Sequence, residues 1–252
     1  MRDWEVVTTG CSDSVVRRSP DGQMFAKTAC TPSALVELTD ERDRLIWLGT
    51  TTVTAPQVVD WNERDGSATL ITSALPGAPA SAIPAADAPA AARALVEFLD
   101  ILHDLPIDEC PFDRRLDVTL AAAAANTSAG LVDDQDFDEE RRGRTADSLL
   151  GELLSDRDRA QALEQSSLSV CHGDLCLPNV LLDPDALSVT GTVDVGRLGV
   201  ADRHLDLALL TRSITSTALN PNYGPELATW VGRHTDADPW RIDYYRLLDE
   251  FF

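Results

Sequence analysis

The chain has 252 residues, 44% of them apolar, which is enough for a substantial core in one large domain or two small ones. Its 42 acidic against 21 basic residues give a formal charge of -21, leaving no basic surplus to displace counterions from nucleic-acid phosphates. That excess suits a cationic partner or a solvated, self-repelling surface. No uncharged apolar run reaches about 18 residues and the start, MRDWEVVTTG, lacks the order of a secretory signal, so a soluble cytoplasmic protein without membrane attachment is expected. Five cysteines, an odd number without a C-x-x-C pair, read as unpaired thiols.

Residues 4–8 (WEVVT) and 23–28 (QMFAKT) read as short strands, with VVRRSPDG between them as a strand ending in a Pro-Asp-Gly turn. PSALVELTDERDRLIWLGT, with Leu35, Leu38, Leu45, Ile46 and Leu48 among charges and a Gly at its end, reads as an amphipathic helix. QVVDWNERDGSATLITSALPG supplies two further strands around Asp-Gly. Residues 1–73 are therefore expected to form a small sheet with one helix. The Ala- and Pro-rich ALPGAPASAIPAADAPAAARAL reads as a hinge leading into a helix through ARALVEFLDILHDLP, and residues 74–252 as a larger, mainly helical lobe. Within it DVTLAAAAANTSAGL, ADSLLGELLS, DRHLDLALLTRSI and the terminal WRIDYYRLLDEFF look helical, whereas VDDQDFDEERRGR reads as a loop or an exposed helix start.

Two features point to chemistry. Lys27, in GQMFAKTA, is the chain's sole lysine; arginine takes every other basic position, and the two are not equivalent where a compact ammonium must meet a particular oxygen. The second is CHGDLCLPN followed by TVDVGRLG. Read as a loop and then a hairpin, this segment puts Asn179 at the start of one strand and Asp194 at the end of its partner, so that both oxygens can serve Mg²⁺. Asp174, earlier on the loop, remains to receive a substrate hydroxyl. D-x-x-x-x-N followed by D is the pattern of kinase-type phosphoryl transfer. In that chemistry Lys27 meets nucleotide phosphates and a helix glutamate holds it, either Glu41 or Glu37 one turn earlier. Gly10, Ser12 and Ser14 in TGCSDSVVRR could offer donors to phosphate. His172 reads as a loop support, and Asp206 in HLDLAL as a buried brace.

FAKTA, ERDRLIWL, ITSALPG, LHDLPIDECPFDRRL, VCHGDLCLPNVLLD, GTVDVGRLGVADRHLDLAL and YYRLLDEFF together resemble the aminoglycoside phosphotransferases over nearly the whole length. The resemblance implies an α+β, protein-kinase-like two-lobed fold with ATP and Mg²⁺ in the cleft between a small N-lobe and a larger C-lobe. It implies Asp174 as catalytic base, Asn179 and Asp194 as metal ligands, and Lys27 with Glu41 as the phosphate-binding pair. Ser12 joins these on the nucleotide side, with Phe25 against adenine and Ser73–Ala74 as the hinge that meets the base. On the acceptor side it implies Asp136, Asp138, Glu139, Asp249, Glu250 and the carboxylate of Phe252, with Arg197 and Arg212 beside the reacting groups. HGD and DVG in place of H-R-D and D-F-G set the chain apart from protein kinases. Leu177-Pro178 before Asn179, together with ERDRLIWL and CPFDRRL, resembles the enzymes that phosphorylate the 3″-hydroxyl of streptomycin, whereas the LDEFF ending resembles the 3′ enzymes acting on kanamycin and neomycin. Kinases of other small alcohols and a drug-sequestering protein without catalysis are the rival readings. A monomer is expected.

Overall fold

The computed structural model describes residues 3–7 and 14–252, and its contacts divide the chain into two compact units. One is Met1–Ile83 with Pro178–Arg197; the other is Pro84–Leu177 with Leu198–Phe252. The division expected after residue 73 thus falls ten residues later, and the smaller unit takes in a segment from far down the chain.

In the first unit β1 (Glu5–Val7), β2 (Val15–Arg18), β3 (Met24–Ala29), β4 (Val58–Arg64) and β5 (Ser67–Ser73) form a sheet of order β1-β2-β3-β5-β4. Every neighbouring pair is antiparallel. The β4–β5 turn has positive φ at both Asp65 (51°) and Gly66 (76°), the backbone for which Asp-Gly is suited because it matches the strands' twist. Helix α1 (Pro32–Leu48) starts where Thr31 accepts the amide of Ala34 and Pro32 needs no partner for a missing N–H. It buries Ala34, Leu38, Leu45 and Leu48 on one face.

The Ala- and Pro-rich segment expected to be a hinge is built into this unit as far as Ile83, and from Pro84 it opens the second. β6 (Ala78–Pro79) pairs with β8 (Val180–Leu182), which pairs with β9 (Val189–Thr192), all antiparallel. Ala80 and Ile83 are fully buried beside it. Composition concealed this because the segment's partner is a strand about a hundred residues away, and small side chains carry no periodic signal.

The second unit is mainly helical: α2 (Ala88–His103), α3 (Leu116–Ala129), α4 (Ala146–Ser155), α5 (Arg157–Glu164), α6 (His204–Thr215), α7 (Pro225–His234) and α8 (Pro239–Asp249). Its core joins Leu116 and Leu120, Leu149 and Leu153, Leu205 and Leu209, and Tyr244, Leu248 and Phe251. A two-stranded antiparallel ribbon of β7 (Leu168–Cys171) and β10 (Gly199–Asp202) completes it. The whole is the expected α+β class. VDDQDFDEERRGR forms turns and a short 3₁₀ segment, Glu139–Arg141, rather than a helix. Among the described residues no helix is long and apolar enough to cross a membrane.

Glu164, at the end of α5, is 3% exposed and its carboxylate accepts the amide of Leu116 (2.8 Å) at the start of α3. Burial pushes its pKa up to about 7 against the pull of that amide. Between the usual carboxylate range and pH 7 the unfolded chain has released this proton while the folded chain retains it. Stability therefore falls as pH rises through that window, by up to about 3 kcal/mol from this group. Glu164→Gln keeps an acceptor for Leu116 without the titration. Urea unfolding at pH 5 and pH 8 is expected to show a smaller stability difference in the variant than in the parent, and an unchanged difference would overturn the assignment.

Candidate active site

The first unit gathers a cation and two carboxylates. Lys27 lies on β3, the central strand, opposite Val16 on β2 and Leu70 on β5, so its backbone is held on both sides. Its Nζ donates to Glu41 Oε2 at 2.8 Å and to Asp194 Oδ1 at 2.9 Å. The partner on α1 is Glu41 and not Glu37, which is exposed; one helical turn decides the matter. Burial pulls the Lys27 pKa down, but the Glu41 and Asp194 carboxylates outweigh it and hold the ammonium above its ordinary value. Burial pushes Glu41 up while Lys27 pulls it down; with a charged ammonium at 2.8 Å the contact is an ion pair.

Asp194 follows β9 and sits in the left-handed region at φ 59°, a conformation that aspartate tolerates better than most residues. A 3₁₀ turn, Val195–Arg197, succeeds it. Asn179 is 8% exposed and lies just before β8; its carbonyl accepts the amide of Val193 (2.9 Å) and the hydroxyl of Thr192 (2.8 Å). These two bonds tie Asn179 to the residues immediately before Asp194, the hairpin arrangement expected from the spacing. Arg197 ends the 3₁₀ turn in this same unit.

Other residues expected on the nucleotide side are placed as follows. Phe25, on β3, has the Arg18 guanidinium 5.9 Å from its ring centre. Ser73 ends β5, where its amide donates to Gln57 and its hydroxyl accepts the amide of Gln57, both at 2.9 Å. The Ala74 amide donates to Gln23 at 2.8 Å. Ser12 and Gly10 lie outside the described residues.

In the second unit β7 delivers the chain to Asp174. Gly173 adopts φ 82°, and the turn it makes aims two successive amides at one carboxylate. Asp206 on α6 is fully buried; its Oδ2 accepts the amide of His172 (2.8 Å) and its Oδ1 that of Gly173 (2.9 Å). His103 Nε2, at the end of α2, lies 3.1 Å from the same Oδ2. His172 is likewise fully buried, and its Nδ1 accepts the Asp174 amide at 3.2 Å, which leaves the ring proton on Nε2. Both residues therefore support the loop, as expected. His103, Cys171 and Asp206 bring ligand-type atoms within 4.8 Å of one another. Asp206 already receives amide donors, and the Cys171 thiol is pushed well above its ordinary range by burial, which disfavours the thiolate a metal would need.

A second group of charges sits near the end of the chain. Arg212 on α6 bonds Asp249 and lies 3.4 Å from Asp138. Burial lowers the Arg212 pKa, but Asp249 and Asp138 overcome this and hold it above its usual value. Glu250, 4% exposed, accepts the amide of Asp138 at 3.3 Å through each carboxylate oxygen and lies 3.5 Å from Arg141. Burial and then Asp138 push Glu250 up to about 7. Of the acceptor-side residues expected, Asp138, Arg212, Asp249 and Glu250 thus form one cluster. Asp136 and Glu139 are exposed on the same segment as Asp138 without joining those contacts. Phe252 has the Arg114 guanidinium 5.4 Å from its ring centre. Sequence reasoning missed His103 and Arg141; a histidine ending an apolar helix and an arginine in a charge run carry no signal of the buried partners they meet.

The profile of the Phosphotransferase enzyme family matches residues 3–243. An aminoglycoside 3′-phosphotransferase of Streptomyces fradiae is 42% identical over 99% of this chain and 95% of its own length. A streptomycin 3″-kinase of Streptomyces griseus is 39% identical over 98% and 91%. Among solved structures, the aminoglycoside phosphotransferase APH(3″)-Id of Streptomyces rimosus, in complex with ADP and streptomycin, superposes with a TM-score of 0.87 at 35% identity, covering 98% of this chain and 92% of that one. A type VIII aminoglycoside-3′-phosphotransferase gives 0.86 at 42% identity over 99% and 93%. The chain belongs to the phosphotransferase enzyme family, among the aminoglycoside phosphotransferases.

Proposed function

We propose that the protein transfers the γ-phosphoryl group of ATP to a hydroxyl of an aminoglycoside, with the 3″-hydroxyl of streptomycin as the first candidate, and so confers resistance. The observation that carries the phosphotransfer reading is the convergence of Lys27, Glu41 and Asp194 within 2.9 Å, with Asn179 tied to the same turn. The Asn179 carboxamide and Asp194 carboxylate are hard oxygen donors, which fits Mg²⁺, an ion that takes only one or two protein ligands. When bound, that ion would neutralise phosphate charge.

Lys27, kept protonated by its two carboxylates, offers a fixed positive charge to nucleotide phosphates. Asp174, on a loop whose preceding amides are held by Asp206, receives the acceptor hydroxyl, orients it for in-line attack and accepts its proton. Little of the rate comes from covalent chemistry by the protein; positioning and electrostatics supply it. The cluster of Asp138, Asp249 and Glu250 meets two guanidiniums, Arg212 and Arg141, and the exposed Asp136 and Glu139 on the same segment add negative charge, which suits a polycationic acceptor.

For streptomycin, the support is Leu177-Pro178 before Asn179 and the likeness to the streptomycin-bound enzyme. The 3′ reading, on kanamycin- or neomycin-type drugs, has its own observation: the 42% identity to a 3′-phosphotransferase. Incubating the protein with ATP, Mg²⁺ and each of streptomycin, kanamycin and neomycin, with mass spectrometry and NMR of the drug, distinguishes them. Phosphate on the 3″-oxygen of streptomycin is expected. Phosphate on a 3′-oxygen of the others would replace that reading, and none on any drug would overturn the function. A monomer in the cytoplasm, where ATP is available, completes the proposal.

A further inference from the structure

Helix α6 touches the Asp174 loop twice. Asp206 takes the amides of His172 and Gly173 on one side of Asp174, and seven residues further along the helix Ser213 Oγ accepts the amide of Leu177 at 3.0 Å on the other. An interval of seven returns to the same helical face, so one rigid element addresses both ends of the loop. Ser213 is itself held. Asn220, 3% exposed, donates through Nδ2 to the Ser213 carbonyl at 2.8 Å and to its Oγ at 3.2 Å, while the Asn220 amide returns to Ser216 at 2.7 Å. The turn after α6 is thereby folded back onto its last helical residues, fixing the lone pair that Leu177 uses. Leu175 and Leu177 are fully buried on the loop, so an amide at 177 without an acceptor would be costly.

We propose that Ser213, oriented by Asn220, is a positioning residue for the phosphotransfer reaction: it holds the downstream end of the Asp174 loop as Asp206 holds the upstream end. The inference rests on the reading of Asp174 as the group that receives the acceptor hydroxyl. Pinned at one end only, the loop would let the carboxylate drift from the attack geometry, and an ångström of drift is costly in rate while leaving ground-state binding intact.

The test compares Ser213→Ala, Ser213→Thr and Ser213→Val in the full chain. Thr keeps the hydroxyl; Val has the same shape without it. Ser213→Ala is expected to lower kcat by roughly 10- to 100-fold with KM for the drug within about twofold, because only transition-state positioning is lost. Thr is expected to recover most of kcat, and Val to behave as Ala. Amide exchange of the peptide spanning Leu177 should quicken in Ala and Val but not in Thr, and this readout needs no active enzyme. Should Ser213→Ala fail to fold, the Thr and Val pair carries the same comparison. Wild-type kcat in Ser213→Ala, equal behaviour of Thr and Val, or unchanged exchange would overturn the proposal. If the parent protein phosphorylates no aminoglycoside, the reaction falls, and the exchange data still decide whether Ser213 holds the loop.

Discussion

Asp174→Ala is expected to lower kcat by about 10²- to 10⁴-fold, the range a positioned general base contributes, while leaving ATP affinity nearly unchanged. The size of the effect follows from what surrounds the residue. The amides of His172 and Gly173 are anchored to Asp206, and the Asp174 amide to the His172 ring, so the carboxylate is carried on a backbone with little freedom. Removing it leaves that scaffold in place and deletes the group proposed to accept the hydroxyl proton. The nucleotide contacts proposed are those of Lys27, Glu41, Asn179 and Asp194, all in the first unit, and the variant leaves the Lys27 bonds to Glu41 and Asp194 as they are. Steady-state kinetics with calorimetric ATP binding measure both quantities. Full turnover in the variant would remove Asp174 from the reaction, and a large loss of ATP affinity would make its role structural.

Lys27→Ala should reduce kcat/KM for ATP by about 10²- to 10³-fold, the cost of losing one fixed electrostatic contact to a reacting group. It also leaves Glu41, whose carboxyl burial already pushes upward, without the ammonium that keeps it ionised. Breaking a buried pair in this way costs several kcal/mol; because Lys27 and Asp194 retain 21% and 52% side-chain exposure, and Glu41 can take up a proton, a loss of about 1–3 kcal/mol is expected. Glu41→Gln should relieve part of that loss in the double variant, so the two changes combine to less than their sum in urea unfolding. Lys27→Arg is not a rescue, since a planar fork cannot occupy the place of a compact ammonium shared by two carboxylates. Unchanged kcat/KM in Lys27→Ala would remove the lysine from nucleotide binding, and strictly additive stabilities would remove the coupling.

The elements that sequence reading found are those whose signal is local. α1 shows its buried stripe in Leu38, Leu45 and Leu48 and its end in Gly49, and the β4–β5 hairpin shows itself in Asp65-Gly66. Most elements it passed over have little such signal. α5 buries only Ala160 and Glu164 and presents little apolar face, whereas α7 is short and its stripe of Leu227, Trp230 and Val231 was passed over. β6 is two residues long and exists because β8 lies beside it.

What the sequence by itself determined was the chemical inventory and its order: a lone lysine on a predicted strand, a helix bearing carboxylates after it, and Asp174, Asn179 and Asp194 at intervals that a loop and hairpin bring into use. Chain spacing is enough for this, because backbone geometry over a few residues is nearly fixed by local sterics and hydrogen bonding. Only the tertiary structure decided that Ser213 joins Asp206 in gripping the Asp174 loop, that His103 meets Asp206, and that Arg212 gathers Asp138 and Asp249. Each of those contacts joins groups remote in the chain. Which partner a charged or polar side chain finds there is set by how packed elements face one another, since its low-energy state depends on burial and on the nearest opposite charge rather than on its neighbours in sequence.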